Sequence, residues 1–140
     1  MDRHSLEQRS KNMAAIKSTG TEAEIKLGKG LWHLGYRYRK NNKKVFGKPD
    51  FTFKKIKIAI FVDSEFFHGK DFLTKKKPIS NAEYWENKII RNMNRDRLVN
   101  DTLTHEGWTV VRFWSKEVLN NISNVIEEIE KLYNDKSKKF

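Results

Sequence analysis

Apolar and polar positions alternate most regularly between Gly47 and Gly69. Phe51 and Phe53 alternate with polar neighbours. Ile56, Ile58, Ile60 and Val62 do the same, while Ala59 and Phe61 make the later part apolar on both faces. A period of two, bounded by Gly47-Lys48-Pro49 and by Ser64 and Gly69, predicts a β-hairpin that reverses near Lys54–Lys55. Trp108–Trp114 is a further strand, apolar enough to sit centrally in a sheet. Tyr36–Lys44 alternates aromatics with cations and predicts a strand edge. Helical spacing occurs three times. Thr21-Glu22-Ala23-Glu24 has the form of a capping box, so a helix begins at Thr21, with Ile25, Gly28, Leu31, Trp32 and Leu34 on one side and Gly35 as its stop. A second box, Ser80-Asn81-Ala82-Glu83, starts a helix that runs to about Thr104, with Tyr84, Trp85, Ile89, Met93 and Leu98 on its apolar face; His105-Glu106-Gly107 closes it. Val118, Ile122, Val125, Ile126, Ile129 and Leu132 form a third apolar stripe, read as core packing.

These elements define one domain over residues 21–134, preceded by a basic arm over 1–20 and followed by a disordered basic tail over 135–140. The chain carries no internal repeat. The order of helix, hairpin with a further edge strand, helix, strand and helix points to an α/β fold with a restriction-endonuclease-like core, a mixed central β-sheet flanked by helices. Pro49-Asp50 and the later Asp63-Ser64-Glu65 resemble that core's Pro-Asp…(Asp/Glu)-x-Lys pattern, with Glu65 in the lysine position.

Charge narrows the partner. Lys and Arg number 29 against 18 Asp and Glu, a net charge of +11, which implies a polyanion: nucleic acid first, a membrane surface second. The absence of cysteine excludes disulfides and any thiolate zinc site and suits the cytoplasm. No stretch approaches the roughly 20 apolar residues of a membrane span. A soluble, intracellular, nucleoid-associated protein is expected. The candidate chemistry is acidic. Asp50 and Asp63 stand at opposite ends of the hairpin, where hard carboxylate oxygens suit a metal ion. Glu24 serves either as the reciprocal half of its capping box or as a catalytic acid. Asp96, flanked by Arg95 and Arg97, is a salt-bridged surface residue or a functional one. His68, after Phe66 and Phe67, is packed or catalytic.

Several short motifs, taken together and in order, are similar to the very-short-patch repair (Vsr) endonuclease family. They are Arg9-Ser10-Lys11-Asn12-Met13 with Ala15-Ile16, Glu24, Gly47-x-Pro49-Asp50-Phe51, Ile60-Phe61 and Phe66-Phe67-His68. Tyr84-Trp85-x-x-Lys88-Ile89, Asn92, Arg95-Asp96-Arg97, and Gly107-Trp108-x-Val110 with Trp114 complete the set. Members of that family nick duplex DNA beside a T·G mismatch, and Vsr-like domains also occur in homing endonucleases. The resemblance implies a Mg²⁺-dependent endonuclease, acting as a monomer on double-stranded DNA and leaving 5′-phosphate and 3′-hydroxyl ends. Asp50, the Val62 backbone carbonyl and Asp63 would bind the metal. His68 would act as general base, oriented by Asp96, with Glu24 approaching from the first helix. Phe66, Phe67 and Trp85 would wedge into the base stack from the major groove, and Met13 with Arg9, Lys11 and Asn12 would lie on the minor-groove side. Lys88 and Arg95 would contact DNA. The sequence departs from well-known members in two ways. It lacks the cysteines of their structural zinc, so no zinc is expected and Glu65 stands where one thiolate would be. It also carries Asp63 where some members have histidine, which favours ordinary two-acid chemistry. The alternatives are a homing- or restriction-type endonuclease, including a phage-borne one, with the same site and another DNA target, and a non-catalytic DNA-binding protein.

Overall fold

Helix α1 spans Glu22–His33, and Thr21 is its N-cap, the side-chain oxygen accepting from the Glu24 N–H at 3.3 Å. The expected stop is also present. Gly35 has φ +94°, and the Tyr36 N–H donates to the Leu31 carbonyl at 3.1 Å, closing the last turn. The computed structural model describes residues 21–65 and 82–138. The N-terminal arm with Arg9, Lys11, Asn12 and Met13, and the segment with Phe66, Phe67 and His68, lie outside the described residues.

The buried seam of α1 is Ala23, Glu24, Leu27, Gly28 and Leu31. Trp32 and Leu34, expected on the apolar side, are half exposed, and Ile25 is exposed as well. Close approach decided this. A Cβ at Gly28 would stand 2.8 Å from the Tyr38 hydroxyl and 3.3 Å from the Phe51 ring, so the helix seats against the sheet at Gly28, with Leu27 and Leu31 filling the seam and Trp32 left outside it.

Four strands form a sheet in the order β1 (Arg39–Lys40), β2 (Phe51–Phe53), β3 (Ile58–Asp63) and β4 (Thr109–Trp114). The first three pair antiparallel and β3 pairs with β4 in parallel, giving the mixed sheet expected of a restriction-endonuclease-like fold. β1 is the edge strand foreseen in Tyr36–Lys44. β3 begins two residues later than the alternation suggests: Lys57, at φ +53°, interrupts the ladder, and Ile56 is buried in the turn instead. Among the described strands β4 is an edge rather than the centre; only Phe113 of its six residues is fully buried. Helix α2 (Ala82–His105) makes the crossover between the parallel strands, as such a connection requires. Gly107, at φ +90°, ends it, with the Trp108 N–H donating to the Leu103 carbonyl at 2.9 Å.

The third apolar stripe is two helices, α3 (Ser115–Asn120) and α4 (Ile122–Ser137), divided at Asn121, where φ is −133°. α4 runs on into the stretch expected as a tail. The sheet separates two apolar layers. On one side Phe51, Phe53, Ile58 and Ile60 pack against Leu27, Leu31, Val118, Val125 and Ile129 of α1, α3 and α4. On the other, Ala59 and Phe61 meet Val99 and Leu103 of α2. In α2, Leu98 and Tyr84 are exposed, and the buried apolar positions are Ile89, Val99 and Leu103. Helical spacing sets Asn92 and Asp96 in the gap between Ile89 and Val99, on that same side.

Gly47 shows how tightly this second layer closes beneath the acidic site. It has φ +81°, and a Cβ there would stand 2.5 Å from Val99 Cγ1. Gly47→Ala is expected to cost about 1–3 kcal/mol through strain and overpacking. In urea titrations Val99→Ala should return part of that loss, and additive losses would refute the contact.

Candidate active site

Register and pleat together place the hairpin acids. Phe51 pairs with Ile60, so Asp50 stands opposite Phe61, and Phe61 shares a face with Asp63 two residues on. Both hairpin acids therefore point to the α2 side, although they are far apart along the chain. Asp50 Oδ2 accepts from the Val62 N–H at 2.6 Å, tying the acid to the neighbouring strand. Glu24, almost fully buried, comes to the same place from the first turn of α1 and hydrogen-bonds to the Asp50 side chain. The capping box is thus realised in one direction by the Thr21 hydroxyl, and the Glu24 carboxyl also reaches a second acid.

This arrangement has an electrostatic consequence. Burial first, and then the nearby Glu24 and Asp63, push the Asp50 carboxyl up to about 7 against the lowering effect of the Val62 N–H. Two hydrogen-bonded carboxyls in a low-dielectric pocket hold a proton or need a cation in its place. The hard oxygens of Asp50 and Glu24, beside the strand-end backbone at Val62, fit Mg²⁺ in donor type and charge. Among the described residues no three His, Cys, Asp or Glu side chains converge as a ready-made metal cluster.

Asp63 has a partner that sequence reading missed. Arg112, on β4, lies beside Phe61 in the parallel register. Its Nη1 donates to both Asp63 oxygens, at 3.0 and 3.1 Å, and lies 3.6 Å from Asp96 Oδ1. Its Nε donates to Asn100 Oδ1 at 2.7 Å, and the guanidinium stacks 4.0 Å from the Phe61 ring centre. The signal available in the sequence was one: a cation inside an otherwise apolar strand, where an unpaired charge is costly.

Glu65 also has a definite place. Its carboxylate accepts from the Ser115 hydroxyl and, at 2.9 Å, from the Lys116 N–H. Burial pushes this carboxyl up, but the two hydrogen bonds and the Lys116 charge outweigh it and hold it below the usual carboxylate range. Helix α3 has no side-chain cap from its own N-cap residue, Trp114; Glu65 supplies one from the end of the neighbouring strand β3. Glu65, two residues past β3, is thereby anchored to α3.

A cavity of about 580 Å³ opens over the acids. Asp50, Asp63 and Asp96 line it together with Glu24, and Lys48, Lys88, Asn92 and Arg95 bring polar and positive groups to the same wall. Acids and cations lining one cavity suit a phosphodiester held against a bound cation. Of the residues proposed for DNA contact, Lys88 and Arg95 border this cavity. Trp85 is on the same helix, in edge contact with Tyr84 and with the Lys88 ammonium 5.5 Å from its ring centre. Among the described residues no helix is long and apolar enough to cross a membrane.

Residues 1–74 match the family model described as DNA mismatch endonuclease Vsr. The chain is 50% identical over 137 residues to the type II nicking enzyme V.NmeDIP of Neisseria meningitidis serogroup C, covering 97% of this chain and 93% of that one. It is 52% identical over 133 residues to the type II nicking enzyme V.HpaIIP of Haemophilus parainfluenzae, covering 94% of each. The DNA mismatch endonuclease Vsr of Escherichia coli K12 is 34% identical over 113 residues, 81% of this chain and 72% of that enzyme.

Proposed function

Because this chain belongs to the Vsr family of DNA mismatch endonucleases and is a DNA endonuclease, we propose that it nicks one strand of duplex DNA beside a T·G mismatch, using Mg²⁺ held at Asp50 and Glu24. The observation that carries this reading is the buried Asp50–Glu24 pair at the floor of a cavity walled by Lys48, Lys88 and Arg95. Mg²⁺, when bound, supplies positive charge to the scissile phosphate and the departing 3′-oxygen.

The chain's own residues do the rest. Asp50 and the Val62 carbonyl hold the cation, and Glu24 completes its acidic surround. His68 takes the proton from the attacking water, and Asp96 holds the imidazole in the useful orientation, so products carry 5′-phosphate and 3′-hydroxyl ends. Lys88 and Arg95 grip phosphates beside the cut. Phe66, Phe67 and Trp85 press into the base stack from one groove. Met13, with Arg9, Lys11 and Asn12, approaches from the other. A mismatch lowers the unstacking cost of a few kcal/mol, so such a wedge selects it.

The likeness to two nicking enzymes supports strand nicking, and the likeness to the Escherichia coli mismatch endonuclease supports mismatch recognition. The test is a nicking assay on paired duplexes that differ only in T·G against C·G, with Mg²⁺ or with a chelator. Nicks should appear only in the mismatched duplex with Mg²⁺, and His68→Ala should slow them by about 10²–10⁴-fold. Equal nicking of both duplexes removes the mismatch reading and leaves a nuclease with another target.

A further inference from the structure

We propose that Arg112 is a positioning residue that holds the Asp63 carboxylate out of the cation's coordination shell, so that the site works with Asp50 and Glu24 rather than with three acids. This rests on the cation reading above, and it replaces the assignment of Asp63 as a metal ligand that the sequence suggested.

The geometry points that way from three sides. Phe61, Asp63 and Arg112 share the face of the sheet that meets α2, and one guanidinium nitrogen reaches both oxygens of Asp63 at 3.0 and 3.1 Å. The guanidinium is itself clamped. Asn100 accepts from Nε at 2.7 Å, Asp96 lies 3.6 Å from Nη1, and the Phe61 ring supports the guanidinium plane. Asp96 and Asn100 are one helical turn apart on α2, so they hold the group together from one surface. The fork cannot follow Asp63 toward a cation without giving up Asn100, and the Arg112 side chain is mostly buried, where such a loss is costly. A divalent cation bound to Asp63 would also sit within a few ångströms of a fixed positive charge that water screens poorly.

Had Asp63 been free, it would have joined Asp50 and Glu24 as a third carboxylate at one cation. Ligand charge sets affinity at such sites, so releasing it should tighten binding. Mn²⁺ titration of the full chain without DNA, by calorimetry or electron paramagnetic resonance, reads this directly. Arg112→Gln should bind Mn²⁺ about tenfold more tightly than the unmodified chain. The double variant Arg112→Gln with Asp63→Asn removes one charge of each sign and should return to within about threefold of the unmodified affinity. A double variant weaker than that, or an Arg112→Gln variant no tighter, overturns the proposal. Asp50→Asn separates the two ideas: if it binds Mn²⁺ as well as the unmodified chain, the cation reading itself is wrong. Should Arg112→Gln not fold, Mn²⁺ located in crystals of the unmodified chain decides. Asp63 oxygens beyond about 3.5 Å of the ion support the proposal, and oxygens at bonding distance overturn it.

Discussion

Asp50→Asn is expected to abolish nicking and, in cation-free buffer above pH 7, to raise the melting temperature. The loss of activity follows from removing the carboxylate proposed to hold the cation. Several kcal/mol of charge stabilisation correspond to about 10³-fold or more in rate. The gain in stability follows from the same burial. The Asp50 carboxyl is pushed from an ordinary 3.8 to about 7, first by burial and then by Glu24 and Asp63. Between those values the folded chain keeps a proton that the unfolded chain has released. Stability is therefore greatest below the unfolded value and is lost as pH rises through the folded one. Above pH 7 that loss is on the order of a few kcal/mol. Asparagine does not ionise and escapes it. Differential scanning calorimetry at pH 5 and pH 8 gives the comparison, and Mg²⁺ added to the unmodified chain at pH 8 should restore what the pH rise removed. A melting temperature unchanged by Asp50→Asn at pH 8 would contradict the strained carboxyl pair.

Glu65→Ala should weaken the fold by about 2–4 kcal/mol at neutral pH. It strands the half-buried Ser115 hydroxyl and the Lys116 N–H, and it removes the cap of α3. The pH dependence has the opposite sign to that of Asp50. Hydrogen bonds hold the Glu65 carboxyl below its usual range, so its contribution is present above the unfolded value and fades as pH falls through the folded one. Urea unfolding should show a larger loss at pH 7 than under acid conditions that protonate the folded carboxyl. Glu65→Gln keeps an acceptor and should fall between. Nicking should slow about tenfold in Glu65→Ala, because the anchored residue leads directly into Phe66, Phe67 and His68, and a misplaced reacting group is costly. Equal losses at both pH values would mean that charge plays no part in the anchor.

The two acids differ because their surroundings do. Asp50 meets one backbone N–H and other carboxyls, whereas Glu65 meets two donors and the Lys116 charge. Local sequence does not carry that distinction, since each is simply an acid near an end of the hairpin.

Much of the architecture was legible where the cause is local. Thr21, Gly35 and Gly107 mark helix ends because capping and left-handed φ are decided within a few residues. The hairpin was legible from period-two alternation, and the α/β order followed from the elements in sequence. The apolar faces of α1 and α2 were less so. Gly28, Leu31 and Ile89 are buried as expected, but Trp32, Leu34, Tyr84 and Leu98 are exposed, and the seams use Ala23, Leu27, Val99 and Leu103 as well. Packing against strands remote along the chain sets which side of each helix is covered, and no local window contains it.

The sequence by itself determined that an α/β domain of high positive charge carries its acids at helix and strand ends, in an order shared with the Vsr family. Those properties arise from short-range periodicity, capping and composition. Only the tertiary structure decided that Asp50 is paired with Glu24 while Asp63 is claimed by Arg112, and that Glu65 caps a distant helix. Charge pairing in a buried site depends on distances between strands and helices remote along the chain, and these are settled when the sheet closes against α2 and α3.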